Sequence, residues 1–97
     1  MPYIPKLVRV LWVDVEGSSG WEESIQDAIE KKPPTVLQIG FLLSAGADYL
    51  VLTSGFCQGA PCSRTTIPTG CVKSIEPIRS TDDLNSLLQE ADAHANE

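Results

Sequence analysis

Residues 35–43 read Thr-Val-Leu-Gln-Ile-Gly-Phe-Leu-Leu, and this stretch decides the fold. Its β-branched and aromatic residues predict a β-strand. Gly40 lies in its middle, and a glycine inside a strand indicates a sharp bend, as in small barrels where one strand serves both sheets. The stretch therefore predicts a bent strand within a small, curved sheet.

A first strand is predicted upstream, over residues 7–15. Val8, Val10, Trp12 and Asp14 fall on one face, and the other face is also largely apolar. A strand that is apolar on both faces is central or packs on two sides. Residues 16–20 form a loop by composition.

A helix is predicted between these two strands. Ser19 and Glu22 have the spacing of a capping box, and Pro33-Pro34 ends the helix because neither residue can continue its hydrogen-bond ladder. An apolar stripe at helical spacing is formed by Trp21, Ile25, Ala28 and Ile29. We expect Trp21 and Trp12 to pack this helix onto the sheet; the alternative is a stacking surface for a base or a partner side chain.

Three more strands are predicted downstream, over residues 49–54, 64–67 and 71–75. Residues 44–48 make a hairpin loop and residues 55–62 a Gly/Pro loop. Residues 68–70 make a one-turn connector between the last two strands.

A second helix is predicted to start at residues 80–83. Its apolar stripe consists of Leu84, Leu87, Leu88 and Ala91, after which the chain frays. A helix of about two turns is unstable alone, so we expect Leu84, Leu87 and Leu88 to contact the barrel, a symmetry mate or a foreign partner.

The order of elements predicts a mainly β fold with helices (α+β). We expect a five-stranded SH3-like or Sm-like barrel over residues 1–78, with one helix after strand 1. Residues 79–97 form an acidic, amphipathic C-terminal helix with a frayed tail. The chain of 97 residues is short enough to be one domain. Its two-sided apolar strands favour a homo-oligomer.

Charge and cysteine content exclude several classes of protein. The net charge is −6, of which −4 falls in residues 79–97 and −2 in residues 1–78. No three basic residues are clustered, so a long nucleic-acid track is disfavoured. No apolar run is long enough for a membrane helix. Without a secretion signal, the three cysteines indicate reduced thiols in a cytoplasm, although a Cys57–Cys62 bridge is conceivable.

Residues for catalysis are scarce. The single histidine, His94, lies in the tail, where no fixed nucleophile–base pair is expected. Asp14 and Glu16 could share a strand face for acid–base work, but a capping and a solvated role are the simpler interpretation. Cys57, Cys62 and Cys71 do not have the paired spacing of a zinc site. We therefore expect no enzyme activity, no metal and no cofactor.

The densest set of hydrogen-bond donors in residues 1–78 is Ser63, Arg64, Thr65 and Thr66. One guanidinium with three hydroxyls can surround a phosphate. The candidate ligand site also includes Thr53, Ser54 and Phe56, the last as an exposed aromatic in the Gly/Pro loop. The alternative is an exposed edge strand that carries polar residues.

Several short segments carry a resemblance to known proteins: residues 10–14, Gly20-Trp21, Pro33-Pro34 with Val36, residues 40–43, residues 48–52, and Ile67-Pro68 with Val72 and Ile75. They span roughly residues 8–78. In these segments the chain resembles short, mostly uncharacterised proteins encoded by phages and prophages. The resemblance implies a mobile-element origin and a role in binding and neutralising a host component, such as an immune one.

Three functions follow as hypotheses. The first is a binding protein that sequesters a small anionic ligand, such as a host nucleotide signal, at protomer interfaces. The second is a protein–protein inhibitor or adaptor that acts through the acidic C-terminal helix. The third is an Sm-like RNA-binding oligomer, which the net charge disfavours.

Overall fold

The computed structural model describes residues 5–95, with the side chains of residues 5–90. The elements are β1 (Lys6–Val13), α1 (Ile25–Glu30), β2 (Thr35–Ala45), β3 (Tyr49–Cys57), β4 (Ala60–Pro68), a 3₁₀ turn (Thr69–Cys71), β5 (Val72–Pro77) and α2 (Thr81–Ala95). The predicted mainly β fold with two helices is confirmed. The C-terminal helix runs beyond its predicted end at Ala91, and the side chain of His94 lies outside the described residues.

The five strands form one antiparallel sheet in the order β4-β3-β2-β1-β5. β1 therefore has a neighbour on both edges, as its two apolar faces predicted. A closed barrel needs a hydrogen-bonded ladder between the edge strands β4 and β5. Within residues 5–95 the sheet is open, so the predicted closure is not observed.

The pairing of β2 changes along its length, close to the bend predicted at Gly40. Residues 35–42 of this strand pair with β1, whereas pairing with β3 begins only at Phe41. The register against β3 shifts between Leu42 and Ser44, which is a β-bulge that increases the local twist. Gly40 is buried, and a Cβ at this position would lie 3.1 Å from the Thr53 carbonyl oxygen. Only glycine allows the two strands to approach this closely without displacement.

The core lies on one face of the sheet, which we call the inner face. Its buried side chains are Val8, Val10, Leu50, Leu52 and Ile67, with Trp12 and Leu42 packed against them. The opposite, outer face carries the cross-strand row Leu7, Phe41, Thr53 and Arg64.

A polar bridge shows that the sheet curls over this core. Trp12 Nε1 donates to Gln38 Oε1 at 3.2 Å, and Gln38 Nε2 donates to Thr65 Oγ1 at 3.0 Å. Gln38 is on β2 and Thr65 is on β4, which are not neighbours in the sheet. The bond between them therefore spans β3, which requires strong curvature.

The predicted loop over residues 55–62 is wrong. β3 continues to Cys57 and β4 begins at Ala60, so only Gln58 and Gly59 form the turn. Both have positive φ (51° and 83°), as in the type I′ turns that match the twist of a hairpin. Pro61 is tolerated because β4 is an edge strand.

The first helix differs most from its prediction. It covers only Ile25–Glu30, and its N-cap is Ser24, whose Oγ accepts from the Asp27 amide at 3.1 Å. The predicted capping box of Ser19 and Glu22 is therefore wrong. No residue of α1 is buried, so the expected packing of this helix onto the sheet is also wrong.

The C-terminal helix α2 packs beside β1 and β5 through few contacts. Leu87 is buried, and Arg9 of β1 lies between Glu76 and Glu90. Arg9 Nη2 is 3.1 Å from Glu76 Oε1, and Arg9 Nη1 is 3.2 Å from Glu90 Oε1 without hydrogen-bond geometry. Because Arg9 lies on the outer face, α2 covers the β1–β5 part of that face.

Candidate functional site

The segment between β1 and β2, residues 14–34, leaves the sheet as an arm. Its base is closed by the Asp14 amide, which donates to the Pro34 carbonyl at 2.9 Å and extends the β1–β2 pairing by one step. The Asp14 carboxylate accepts from the Val15 amide at 2.8 Å, and Ser18 Oγ accepts from the Gly20 amide at 3.2 Å. Local side-chain-to-backbone bonds of this kind favour turns, so the arm begins with a turn and not with a helix.

Large apolar side chains of the arm lie in solvent. Trp21 is fully exposed, Ile25 is 82% exposed and Ile29 is 69% exposed. The apolar side chains predicted as core are therefore exposed: Ile25 and Ile29 on α1, and Trp21 in the segment just before the helix. A capped helix of six residues cannot be stable by itself in water, so contacts with another surface would stabilise it.

A cavity of about 460 Å³ lies on the arm beside Trp21. Its lining residues are Trp21, Glu22, Glu23, Asp27, Glu30 and Lys31. Four carboxylates against one ammonium make this concavity electronegative. The indole face adds a surface for cationic groups. The arrangement can attract a basic or neutral apolar group and repels an anion.

The four predicted donors on β4 do not form one cluster. Arg64 and Thr66 lie on the outer face, where their cross-strand partners are Thr53 and Val51. Thr65 lies on the inner face and accepts the hydrogen bond from Gln38. Ser63, which precedes Arg64, is exposed and has a positive φ of 55°.

The remaining predicted ligand residues lie on β3. Thr53 is buried, and its hydroxyl donates to the carbonyls of Gly55 and Cys62. Ser54 Oγ donates to the Cys62 carbonyl at 3.3 Å. These two hydroxyl protons are therefore used within the hairpin. Phe56 is partly exposed, and its ring packs against Phe41 with centroids 5.6 Å apart.

The predicted partner-binding leucines of α2 have different environments. Leu87 is buried against the sheet, whereas Leu84 and Leu88 are exposed. A smaller cavity, about 280 Å³, lies between α2 and the sheet. It is lined by Arg9, Glu76, Pro77, Ile78, Asp83, Ser86, Leu87 and Glu90. This cavity is the seam along which α2 packs, with the Arg9 ion pairs inside it.

The described residues offer no metal site, no disulfide and no membrane-spanning helix. Among them there is no group of three histidine, cysteine or acidic side chains placed to hold a metal ion. Cys57, Cys62 and Cys71 are free thiols. No helix in this part of the chain has the length and apolar character needed to span a membrane.

Comparisons of the chain with protein-family models, curated proteins and solved structures found no match. Fold and site together define a class: a small, open, antiparallel β-sheet protein with an acidic apolar arm inserted between its first two strands. Sequence reasoning identified the apolar stripe of this arm but assigned it to the core. The available signal was the density of acids around the stripe, since Glu22, Glu23 and Glu30 leave it little width for packing on a sheet.

Proposed function

We propose that this chain is a non-catalytic binding protein that recognises another protein through its arm, residues 14–34. The observation that carries the proposal is the complete exposure of Trp21 beside the exposed Ile25 and Ile29. Burying a large apolar side chain contributes about 2 kcal/mol. Leaving three of them together in water forgoes that stabilisation, and contiguous exposed apolar surface marks interaction sites.

The residue types fit a recognition surface. Tryptophan is enriched among the residues that dominate binding energy at interfaces. A helix that presents an apolar stripe can lie in a groove of a partner. The arm carries six acidic and two basic residues, so it favours a partner surface that is apolar and positively charged.

A photo-crosslinker at position 21 tests this proposal. We expect p-benzoylphenylalanine in place of Trp21 to give a discrete protein adduct on irradiation in producing cells, because the position lies at the centre of the interface. Gel mobility and mass spectrometry of the adduct measure the result and identify the attached chain.

Position 73 provides a matched control, because Lys73 is exposed and lies on β5, outside the arm. The same crosslinker there should give no discrete adduct. Absence of any adduct at position 21, or equal adducts at both positions, would overturn the proposal.

The scaffold is proposed as a variant of an SH3-like or Sm-like barrel. The order of elements, the 3₁₀ turn between β4 and β5 and the Gln38–Thr65 bond support this assignment. A phage origin is proposed from the sequence resemblance alone. A cytoplasmic location belongs to the same proposal.

Sequestration of a nucleotide is the second candidate function. One observation favours it: within the described side chains the Arg64 guanidinium has no ion-pair partner, and Thr66 lies on the same face. If a cyclic or linear nucleotide binds between protomers, a thermal-shift screen should raise the unfolding temperature by more than about 5 °C at saturation. The Arg64→Ala variant should lose that shift. No shift with any nucleotide would remove this candidate.

A further inference from the structure

A second apolar surface is left uncovered on the sheet. On the outer face of β2 and β3, Ile39 is 45% exposed and Phe56 is 43% exposed. Phe41 lies on the same face of β2, two residues after Ile39, and its ring contacts the Phe56 ring. Arg64 belongs to the same cross-strand row as Phe41. We call Ile39, Phe41, Phe56 and Arg64 the outer-face patch; α2 covers only the neighbouring β1–β5 part of the face.

The arm and the sheet carry opposite charge. Residues 5–13 and 35–78 hold four bases (Lys6, Arg9, Arg64, Lys73) and two acids (Asp48, Glu76). The arm holds six acids (Asp14, Glu16, Glu22, Glu23, Asp27, Glu30) and two bases (Lys31, Lys32). The outer-face patch itself holds one base, Arg64, and no acid, whereas the arm is net negative, so the two apolar surfaces are electrostatically complementary.

We propose that the arm of one copy lies on the outer-face patch of a second copy, and that the two copies exchange arms about a two-fold axis. This inference rests on the proposed function and names the partner of the same surface. The apolar stripe of Trp21, Ile25 and Ile29 covers Ile39 and Phe56, and carboxylates of the arm face Arg64. Each copy supplies one arm and one patch, so the reciprocal contact closes as a dimer.

Two other arrangements fit the structure less well. Direct pairing of two arms would place two net-negative segments in contact, which costs binding energy. The arm does not fold onto its own sheet. The hydrogen bond between Asp14 and Pro34 closes the base of the arm, and Trp21 lies in solvent. A second copy supplies the complementary face without moving that base.

Sedimentation velocity and native mass spectrometry of the full chain, from roughly 1 to 100 µM, test the proposal. We expect a dimer whose dissociation constant rises at least about tenfold in Arg64→Glu. Lys73→Glu is the matched control: it makes the same charge change at an exposed base outside the patch, and it should leave the dimer unchanged. Adding Glu22→Lys and Glu23→Lys to Arg64→Glu should restore dimerisation, because the arm then offers lysines to the new glutamate and is no longer net negative.

The outcomes separate this inference from the proposed function. A wild-type monomer at every concentration would overturn the second copy as partner, while a position-21 adduct with a different protein would keep the arm as a recognition surface. A dimer that survives both Arg64→Glu and Trp21→Ser uses another interface and also overturns the inference. Absence of any adduct at position 21 overturns the proposed function itself.

Discussion

Leu52→Ala is expected to lower the free energy of unfolding by about 3 kcal/mol. Leu52 is fully buried at the centre of the inner face, where it pairs with Leu42 on β2 and with Thr65 on β4. Truncation removes apolar contacts with both neighbouring strands and leaves a cavity that a paired sheet cannot close. Because small domains are stable by only about 5–15 kcal/mol, this loss is a large part of the total.

Urea denaturation followed by circular dichroism measures this effect. Leu88→Ala is a matched control, since the same atoms are removed from a leucine that is 67% exposed on α2. It should change stability by less than about 0.5 kcal/mol. Equal losses in the two variants would contradict the placement of the core on the inner face.

Gly40→Val is expected to destabilise the fold by about 2 kcal/mol or more, by overpacking. A Cβ at position 40 would lie 3.1 Å from the Thr53 carbonyl oxygen and 3.3 Å from Leu52 Cβ. Both atoms are held by the β3 backbone, so relief requires β2 and β3 to separate. The two methyl groups of valine add further contacts at this bend.

Gly17→Val tests whether any added side chain has this effect. A Cβ at Gly17 meets nothing within 4 Å, and this glycine lies in the arm outside the sheet. Thermal unfolding of the two variants should therefore show a lower midpoint for Gly40→Val only. An unchanged midpoint in Gly40→Val would mean that the close approach at the bend is not required.

These expectations separate the scaffold from the recognition surface. Substitutions at Leu52 and Gly40 act on folding, because those positions are buried between strands. Substitutions at Trp21 and Arg64 act on association, because both side chains project from the surface. A variant of the arm that lost binding and retained its unfolding midpoint would show that the two properties are carried by different residues.

The strands were predictable because they depend on local pattern. Apolar alternation and the glycine in residues 35–43 identified β2 and its change of neighbour. The hairpin of β3 and β4 was missed for an equally local reason. Glycine and proline in residues 55–62 suggested a loop, yet Gln58 and Gly59 alone complete the turn while the flanking residues pair across the strands.

The candidate ligand site was predicted from adjacency along the chain, and adjacency is misleading in a strand. Successive side chains point to opposite faces, so Arg64 and Thr65 could not share a surface once both lay on β4. Which of them faces the core depends on cross-strand register. That register places Thr65 beside Leu52 and Arg64 beside Thr53.

By itself the sequence determined the five strands and the presence of two amphipathic helices. Only the tertiary structure decided which apolar stripe is covered: Leu87 of α2 is buried, whereas Trp21 of the arm is not. The physical reason is that the hydrophobic effect has no direction. A periodic apolar stripe shows that burying its side chains would lower the free energy. Long-range contacts between distant segments decide whether those side chains pack against the same chain or against another.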